Sequence, residues 1–376
     1  MGTTNRTSGA HPTRTRPIRP SSPTTVDPHR KGEQRLGAVT FGCSQMFDQL
    51  PQVLAVTHWG QAEGRPIPIR ITGWRTGAAD NMATRFERLA TVPSLPAGSG
   101  RFGYTVSVPN LPGGDWEVRT ERTGVRRTGQ RPQRCVVRTR PAQLAYGPAV
   151  KVWSWPALVL AGAALAIVVQ ALLLARTNAN VAAGLIVSVG SCLVGFAGAK
   201  AWYLVSAGKP IRRFLSGGAC IQGFLLAALT TLAIGGALTG IGAGELLDAT
   251  TPGLFLGMAV GRPGCFFTGC CAGRPTASRW GLWSSDRTIA ARRIPVQLWE
   301  ATAALAIALT SLAVVLLGGL PIAGAVFVAA IATYTGVRQL LFPLRADPHT
   351  RRGRYVTLAI CVVLLVADLA AVAAAG

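Results

Sequence analysis

Apolar residues are distributed very unevenly along this 376-residue chain. Residues 1–150 contain no apolar run long enough to cross a bilayer, whose core requires roughly 20 apolar residues in a helix. From Val152 onward such runs follow one another to the C-terminus, which predicts a soluble N-terminal part joined to a multi-pass membrane part. Seven apolar windows predict about seven transmembrane helices in an all-α domain, at 153–175, 181–204, 216–238, 251–268, 297–318, 322–342 and 355–375.

The soluble part has two patterns. Residues 1–35 are rich in Pro, Thr, Ser and Arg and poor in large apolar side chains, which predicts a disordered tail. From residue 36 to 148, apolar residues alternate with polar ones between Gly and Pro turns, as at Ile67, Ile69 and Ile71. This period of two predicts a small all-β domain, an immunoglobulin-like sandwich. The domains are therefore predicted at 1–35, 36–148 and 152–376, with Trp74 and Trp116 in the β core.

Small residues recur in the predicted membrane helices and predict close helix packing. They are clearest in the second and third windows, at Gly190, Gly195, Gly198, Gly217, Gly218 and Gly223.

The charge is strongly positive, with 38 Lys and Arg against 15 Asp and Glu, a net charge of +23. Because the soluble part is tethered to a membrane, anionic lipid headgroups are the expected partner. Nucleic acid is not expected, since none of the usual binding motifs is present. Lys and Arg concentrate in the loops on the side of the N-terminus, which predicts a cytoplasmic N-terminus.

The stretch from 261 to 300 combines six arginines, three cysteines and three tryptophans between two apolar runs. Arg262 ends the first of these runs and is flanked by Gly261 and Gly264. It is either an arginine that reaches the membrane interface or a guanidinium held to grip a phosphate.

A second polar cluster comprises Arg292, Arg293, Gln297 and Glu300. Gln297 and Glu300 are three residues apart and therefore share one helix face. Glu300 is either a favourable charge near a helix N-terminus or a carboxylate that bridges an anion site. Lys200 is a further charged residue near the end of a predicted span. It is either part of a functional site or a lysine whose side chain reaches the membrane interface.

Cys265, Cys270 and Cys271 raise the question of a metal site. We expect neither a metal nor a cofactor, because adjacent cysteines suit tetrahedral coordination poorly and no histidine lies between residues 59 and 348. These cysteines either serve as small residues in helix packing or have reactive thiols, because neighbouring arginines can lower the pKa of a thiol.

Two motifs resemble those of the prolipoprotein diacylglyceryl transferase family, and the resemblance covers about residues 153–375. The first is Gly261-Arg262-x-Gly264-x-Phe266 with Gly273, similar to Gly-Arg-x-Gly-Asn-Phe-x-Asn-x-Glu-x-x-Gly. The second is Arg293-x-Pro295-x-Gln297-Leu298-Trp299-Glu300, similar to Arg-His-Pro-x-Gln-Leu-Tyr-Glu. Weaker matches lie at 198–203 and at Gly217-Gly218.

The resemblance implies a multi-pass transferase of the bacterial plasma membrane that acts in lipoprotein biosynthesis. Such an enzyme moves diacylglycerol from phosphatidylglycerol to the lipobox cysteine of a prolipoprotein and releases glycerol phosphate. Its implied partners are phosphatidylglycerol, the prolipoprotein signal peptide and membrane lipid. Arg262 and Arg293 would hold the phosphate and Glu300 would orient them, and Gln297, Lys200, Gly217 and Gly218 are the other implied substrate-binding residues. Arg292 is an extra neighbour of the matched Arg293 and is a substrate-binding candidate as part of the second polar cluster. The family orientation, with the N-terminus outside, opposes the one that the charges predict.

Several positions depart from the family pattern. Ser216 replaces the histidine before the Gly-Gly pair, Cys265 and Thr268 replace asparagines, Cys270 replaces the glutamate, and Ile294 replaces the second histidine. Because Ser216 is a poor base, a catalytic chain needs Glu300 or a thiolate at Cys265 or Cys270. The alternatives are a non-catalytic paralogue that binds anionic phospholipid and recruits a partner through its β-domain, and a small-molecule transporter.

Overall fold

The computed structural model describes residues 52–78, 84–124, 132–214, 221–346 and 350–376. The predicted tail at 1–35, the start of the predicted β-domain and the Ser216-Gly217-Gly218 segment lie outside the described residues.

The predicted β-rich N-terminal region is confirmed. Its alternating residues point inward, since Ile67, Ile69 and Ile71 are all buried. The strands are β1 (Gln52–Gln61), β2 (Ile67–Arg75), β3 (Arg85–Val92), β4 (Arg101–Pro109), β5 (Asp115–Arg122), β6 (Gln133–Arg138) and β7 (Arg140–Pro141).

Two antiparallel sheets share one hydrophobic core. One sheet has the order β3-β2-β5-β6, and the other contains β7, β1 and β4. Ile71, Phe102 and Trp116 belong to this core, and the indole of Trp116 donates to the carbonyl of Pro112 at 3.2 Å. Trp116 is thus a core residue as predicted, whereas Trp74 is half-buried. The immunoglobulin-like connectivity stays a prediction.

A hairpin from far along the chain completes the second sheet. Strands β8 (Leu282–Ser285) and β9 (Ile289–Arg293) extend it to the order β7-β1-β4-β9-β8. Gly103 of β4 lies opposite Ala290 of β9, antiparallel. A single sheet therefore joins segments that lie on opposite sides of the predicted boundary near residue 150.

The predicted apolar windows all correspond to helices. These are α1 (Ser154–Leu174), α2 (Val181–Ser206), α3 (Ile221–Thr239), α4 (Ala243–Thr268), α5 (Val296–Leu316), α6 (Ala325–Leu341) and α7 (Arg351–Ala375).

Five helices of the described chain, α1, α2, α5, α6 and α7, are long and apolar enough to cross a membrane, which supports a multi-pass membrane protein. Helix α3 contributes only a shorter apolar stretch, Gly223–Thr239. Helix α4 has 26 residues but carries Glu245, Asp248 and Arg262. That α3 and α4 also cross the membrane, which would give seven spans in total, therefore stays a prediction.

Small residues bring two helix pairs into close contact. A Cβ on Gly257 of α4 would lie 2.7 Å from the carbonyl oxygen of Gly162 on α1. A Cβ on Gly198 of α2 would lie 2.7 Å from the carbonyl oxygen of Gly223 on α3. The predicted packing role is confirmed for Gly198 and Gly223, whereas nothing lies within 4 Å of a Cβ on Gly190. The α1 contact supports the helix that carries Arg262.

The buried His58 makes the stability of the β-region depend on pH. Its ring Nδ1 lies 3.0 Å from Thr120 Oγ1, and burial, with a smaller effect of the Arg122 charge, lowers the pKa of His58 to about 4. Since the folded-state pKa lies below the unfolded value of 6.5, the contribution is complete above that value and is lost as the pH falls towards 4. We expect a loss of about 2 kcal/mol between about pH 7 and about pH 5.

Hydrogen exchange of the β1 and β5 amides in the full chain, corrected for intrinsic exchange rates, measures this loss. The His58→Gln variant should show little of it. Glu63 is not a competing source in this window, because its ordinary pKa of 4.5 and the value of about 2, to which a hydrogen bond from Arg122 lowers it, both lie below pH 5. An equal pH dependence in the variant and in the wild type would contradict the assignment to His58.

Candidate functional site

Arg262 lies near the C-terminal end of α4, where small neighbours let helix α1 approach. A Cβ on Gly264 would be 3.0 Å from the Cα of Trp155. The Arg262 side chain is only 14% exposed, and its Nε donates to the Tyr334 hydroxyl at 3.1 Å. Its Nη1 lies 3.1 Å from Glu300 Oε2. The guanidinium therefore faces a polar cluster inside the protein.

Glu300 is the centre of this cluster. It lies one turn into α5, its side chain is 1% exposed, and three guanidinium groups surround it. Besides Arg262, Arg345 Nη1 lies 3.5 Å and Arg338 Nε 3.8 Å from Glu300 Oε1. Glu300 is thus a buried carboxylate among cations. We call Arg262, Glu300, Arg338 and Arg345 the arginine cluster.

The arginine cluster has a surplus of positive charge and of donors. Among the described residues, these three guanidiniums and one carboxylate carry a formal surplus of two positive charges. A carboxylate accepts about four hydrogen bonds in all, so Glu300 cannot occupy all ten N–H donors of Arg262 and Arg338. The separations of 3.5 and 3.8 Å also exceed the roughly 2.7–2.9 Å of a tight charge-assisted hydrogen bond. The arrangement is therefore suited to a second anion.

The sequence motifs did not identify Arg338 and Arg345 as site residues. Arg338 lies in the last turn of α6, four residues after Tyr334, so both side chains share one helix face. Arg345 follows the short turn Phe342–Leu344 and is 4% exposed. The signal that could have found Arg338 is a tyrosine and an arginine at helical spacing near the end of an apolar helix.

Arg293 has a different environment from Arg262. It is 1% exposed, its Nη1 donates to the carbonyl of Gly273 at 2.9 Å, and its Nη2 donates to that of Ile289 at 3.1 Å. The same Nη2 pairs with Asp286 at 2.5 Å. Burial lowers the pKa of Arg293, and Asp286 opposes that effect. Within the described chain its ion pair is with Asp286, and it is not brought to Glu300.

The remaining residues of the second motif are divided between surface and interior. Arg292 is exposed, while Gln297 is 2% exposed and its amide donates to the carbonyl of Cys270 at 3.0 Å. Gln297 and Glu300 share one buried face of α5, as their spacing predicts. Through this hydrogen bond, Gln297 holds the start of the segment between α4 and α5 against α5.

The thiols of Cys265 and Cys270 are brought together by the way α4 ends. Gly269 adopts the left-handed conformation with φ 74°, and the amides of Gly269 and Cys270 both donate to the carbonyl of Cys265, at 3.0 and 3.1 Å. A helix end of this kind places the two flanking side chains in contact. Hydrogen bonding with the thiols of Cys265 and Cys271, followed by burial, raises the pKa of Cys270. The two thiols therefore lie next to each other where α4 ends.

The other predicted site residues lie elsewhere or are not described. Lys200 is on α2, with its Nζ 5.7 Å from the ring centroid of Phe196. Ser216, Gly217 and Gly218 lie outside the described residues. Within the described ranges, no group of three or more His, Cys, Asp or Glu side chains is arranged to hold a metal ion.

Comparison with known proteins identifies the family. A search of curated proteins gives no match. Residues 142–374 match the model of a family described as prolipoprotein diacylglyceryl transferase. The matched range covers more than half of the chain. It contains helices α1 to α6, α7 except for its last residue, the β8–β9 hairpin and the arginine cluster, while β1 to β7 precede it. The chain therefore belongs to the prolipoprotein diacylglyceryl transferase family and carries an additional N-terminal region of β-strands.

Proposed function

We propose that this protein transfers diacylglycerol from phosphatidylglycerol to the lipobox cysteine thiol of a prolipoprotein in the plasma membrane. In this reaction a bond forms between the thiol sulfur and the glyceryl carbon, the bond from that carbon to the phosphate oxygen breaks, and glycerol phosphate leaves. The thiol proton passes to a base. The observation that supports the proposal best is the arginine cluster, within a chain of a transferase family.

The electrostatics of the arginine cluster match this reaction. The donor lipid is a phosphodiester with one negative charge, and the leaving glycerol phosphate develops a second. Cations at fixed positions therefore interact more strongly with the transition state, where the second negative charge develops, than with the singly charged donor lipid. This difference lowers the activation barrier. Arg262 and Arg338, exposed by 14% and 33%, are the members of the cluster that a headgroup can reach.

Glu300 and Tyr334 align the guanidinium of Arg262. Glu300 pairs with its Nη1 and Tyr334 accepts from its Nε, so the remaining N–H groups point in fixed directions. A fixed fork of donors suits the bidentate recognition of a phosphate. We infer that Glu300 orients the arginines, as the resemblance implies, but that its partners are Arg262, Arg338 and Arg345.

The base is proposed to be a thiolate. Ser216 occupies the position of the family histidine, and Glu300 is committed to three cations. Of the paired thiols, Cys265 lies one helical turn from Arg262 on α4, and a nearby positive charge favours a thiolate, so Cys265 is the proposed proton acceptor. Arg293 is assigned a positioning role through Gly273 and Asp286.

The test is a transfer assay with the full chain reconstituted in phosphatidylglycerol vesicles. A synthetic lipobox peptide should gain the mass of one diacylglyceryl group, with release of an equal amount of glycerol phosphate. A peptide with serine in place of the lipobox cysteine should remain unmodified. Complementation of a strain that lacks its own transferase gives an independent measurement.

Absence of transfer in both experiments, with binding to phosphatidylglycerol intact, would contradict the proposal. That result would favour a non-catalytic paralogue that binds anionic phospholipid and recruits a partner through its β-domain.

A further inference from the structure

The N-terminal β-region precedes the residues matched by the family. We propose that it positions the site loop, residues 269–295, and through it the backbone of Arg345 in the arginine cluster. The two indoles of Trp59 and Trp283 are the principal positioning side chains. The expected effect on catalysis rests on the proposed function, whereas the expected effect on loop order does not.

The first observation is that the site loop is part of the β-region's own sheet and core. Strand β9 pairs with β4, and the amide of Thr105 donates to the carbonyl of Thr288 at 2.8 Å. Ile289 and Ala291 belong to the hydrophobic core shared by the two sheets. Apolar side chains of the loop are thus buried against the β-region, and their burial stabilises the loop in this position.

The second observation is an aromatic stack across the sheet. The rings of Trp59 on β1 and Trp283 on β8 are 6.2 Å apart and nearly parallel, at 12°. The guanidinium of Arg101 lies 4.1 Å from the Trp59 ring centroid. Gly103 lies beneath this stack, and a Cβ there would make a tight contact of 3.1 Å with the Trp59 ring. Stacked aromatic rings and cation–π contacts stabilise the geometry beyond the area they bury.

Trp59 is itself anchored in the β-region. Its amide donates to the side-chain oxygen of Gln133 at 3.0 Å, and its carbonyl accepts from the amide nitrogen of the same side chain. Gln133 begins β6, which belongs to the other sheet. The stack therefore connects the site loop to both sheets of the β-region.

The third observation is a continuous series of contacts from the hairpin to the arginine cluster. Arg293, at the end of β9, donates to the carbonyl of Gly273, and Gly273 forms an antiparallel bridge with Arg345. The backbone amide of Arg274 donates to the carbonyl of Leu344 at 2.8 Å, and the side-chain Nε of Arg274 donates to the carbonyl of Arg345 at 3.1 Å. This series of packed and hydrogen-bonded groups provides a physical route by which a displacement of the hairpin reaches Arg345.

The experiment is a comparison of Trp59→Ala, Trp283→Ala and the double variant in the full chain. Hydrogen exchange of the amides in 289–293 should become about tenfold faster in each single variant, as expected for the loss of one aromatic pair. The double variant should be little worse than either single one, because both remove the same contact. With phosphatidylglycerol and a lipobox peptide, kcat should fall about tenfold while KM for the peptide changes little. Trp59→Phe, which retains a ring, should recover most of both losses.

The matched control is Trp74→Ala, which truncates a half-buried indole on β2, in the sheet that does not contain β9. It should leave exchange in 289–293 and kcat unchanged. Unchanged exchange in both single variants would overturn the proposal, and so would an equal effect of the control. If the wild type shows no transfer at all, the proposed function fails and the exchange measurement still tests the positioning role.

Discussion

Arg262→Ala is expected to lower kcat of diacylglyceryl transfer about 100- to 1000-fold, the loss found when one fixed donor to a developing anion is removed. Arg262 is the member of the arginine cluster whose direction is determined by two partners, Glu300 at 3.1 Å and Tyr334 at 3.1 Å. The variant should fold, since Glu300 keeps Arg338 and Arg345 as counter-charges. The measurement is single-turnover transfer in phosphatidylglycerol vesicles.

Arg262→Lys separates charge from geometry. Lysine keeps the positive charge but cannot bond Tyr334 and hold a phosphate bidentately at once, so we expect a loss of about tenfold or more. The matched control is Arg279→Ala, because Arg279 is an exposed arginine of the site loop whose guanidinium lies over Trp280. Transfer at the wild-type rate by Arg262→Ala would rule out the assigned role of Arg262.

Glu300→Gln is expected to destabilise the protein by about 3–5 kcal/mol in detergent without anionic lipid, as when one partner of a buried ion pair is removed. Glutamine has nearly the same shape, so the loss reports the charge and not a cavity. Three guanidiniums would then lie together without their carboxylate. The measurement is the midpoint of thermal unfolding in micelles.

Added phosphatidylglycerol should raise the unfolding midpoint of Glu300→Gln more than that of the wild type. Its phosphate would supply the missing negative charge, and binding to the folded state stabilises that state. Glu245→Gln is the control, since Glu245 is an exposed carboxylate in the first turn of α4. Equal lipid-induced shifts in wild type and Glu300→Gln would argue against a lipid phosphate at the arginine cluster.

The amino-acid sequence by itself determined the elements of this protein and its family. Apolar runs predicted the positions of the helices, and alternation predicted the β-rich region, because both patterns depend on neighbouring residues alone. Two short motifs contained Arg262 and Glu300, and they indicated the transferase family that the match over residues 142–374 confirmed.

Only the tertiary structure decided which arginines surround Glu300. Arg338 and Arg345 lie 38 and 45 residues beyond it, and they reach it because α6 and the turn after it pack beside α5. The inward direction of Arg293 follows from β9, in which Ile289, Ala291 and Arg293 share one face and Arg292 points outward. The union of the site loop with the β-region depends on strand pairing between Gly103 and Ala290, far apart in the chain. Local patterns specify helices and strands, whereas buried ion pairs and strand partners depend on contacts between segments distant in sequence, and those exist only once the chain has folded.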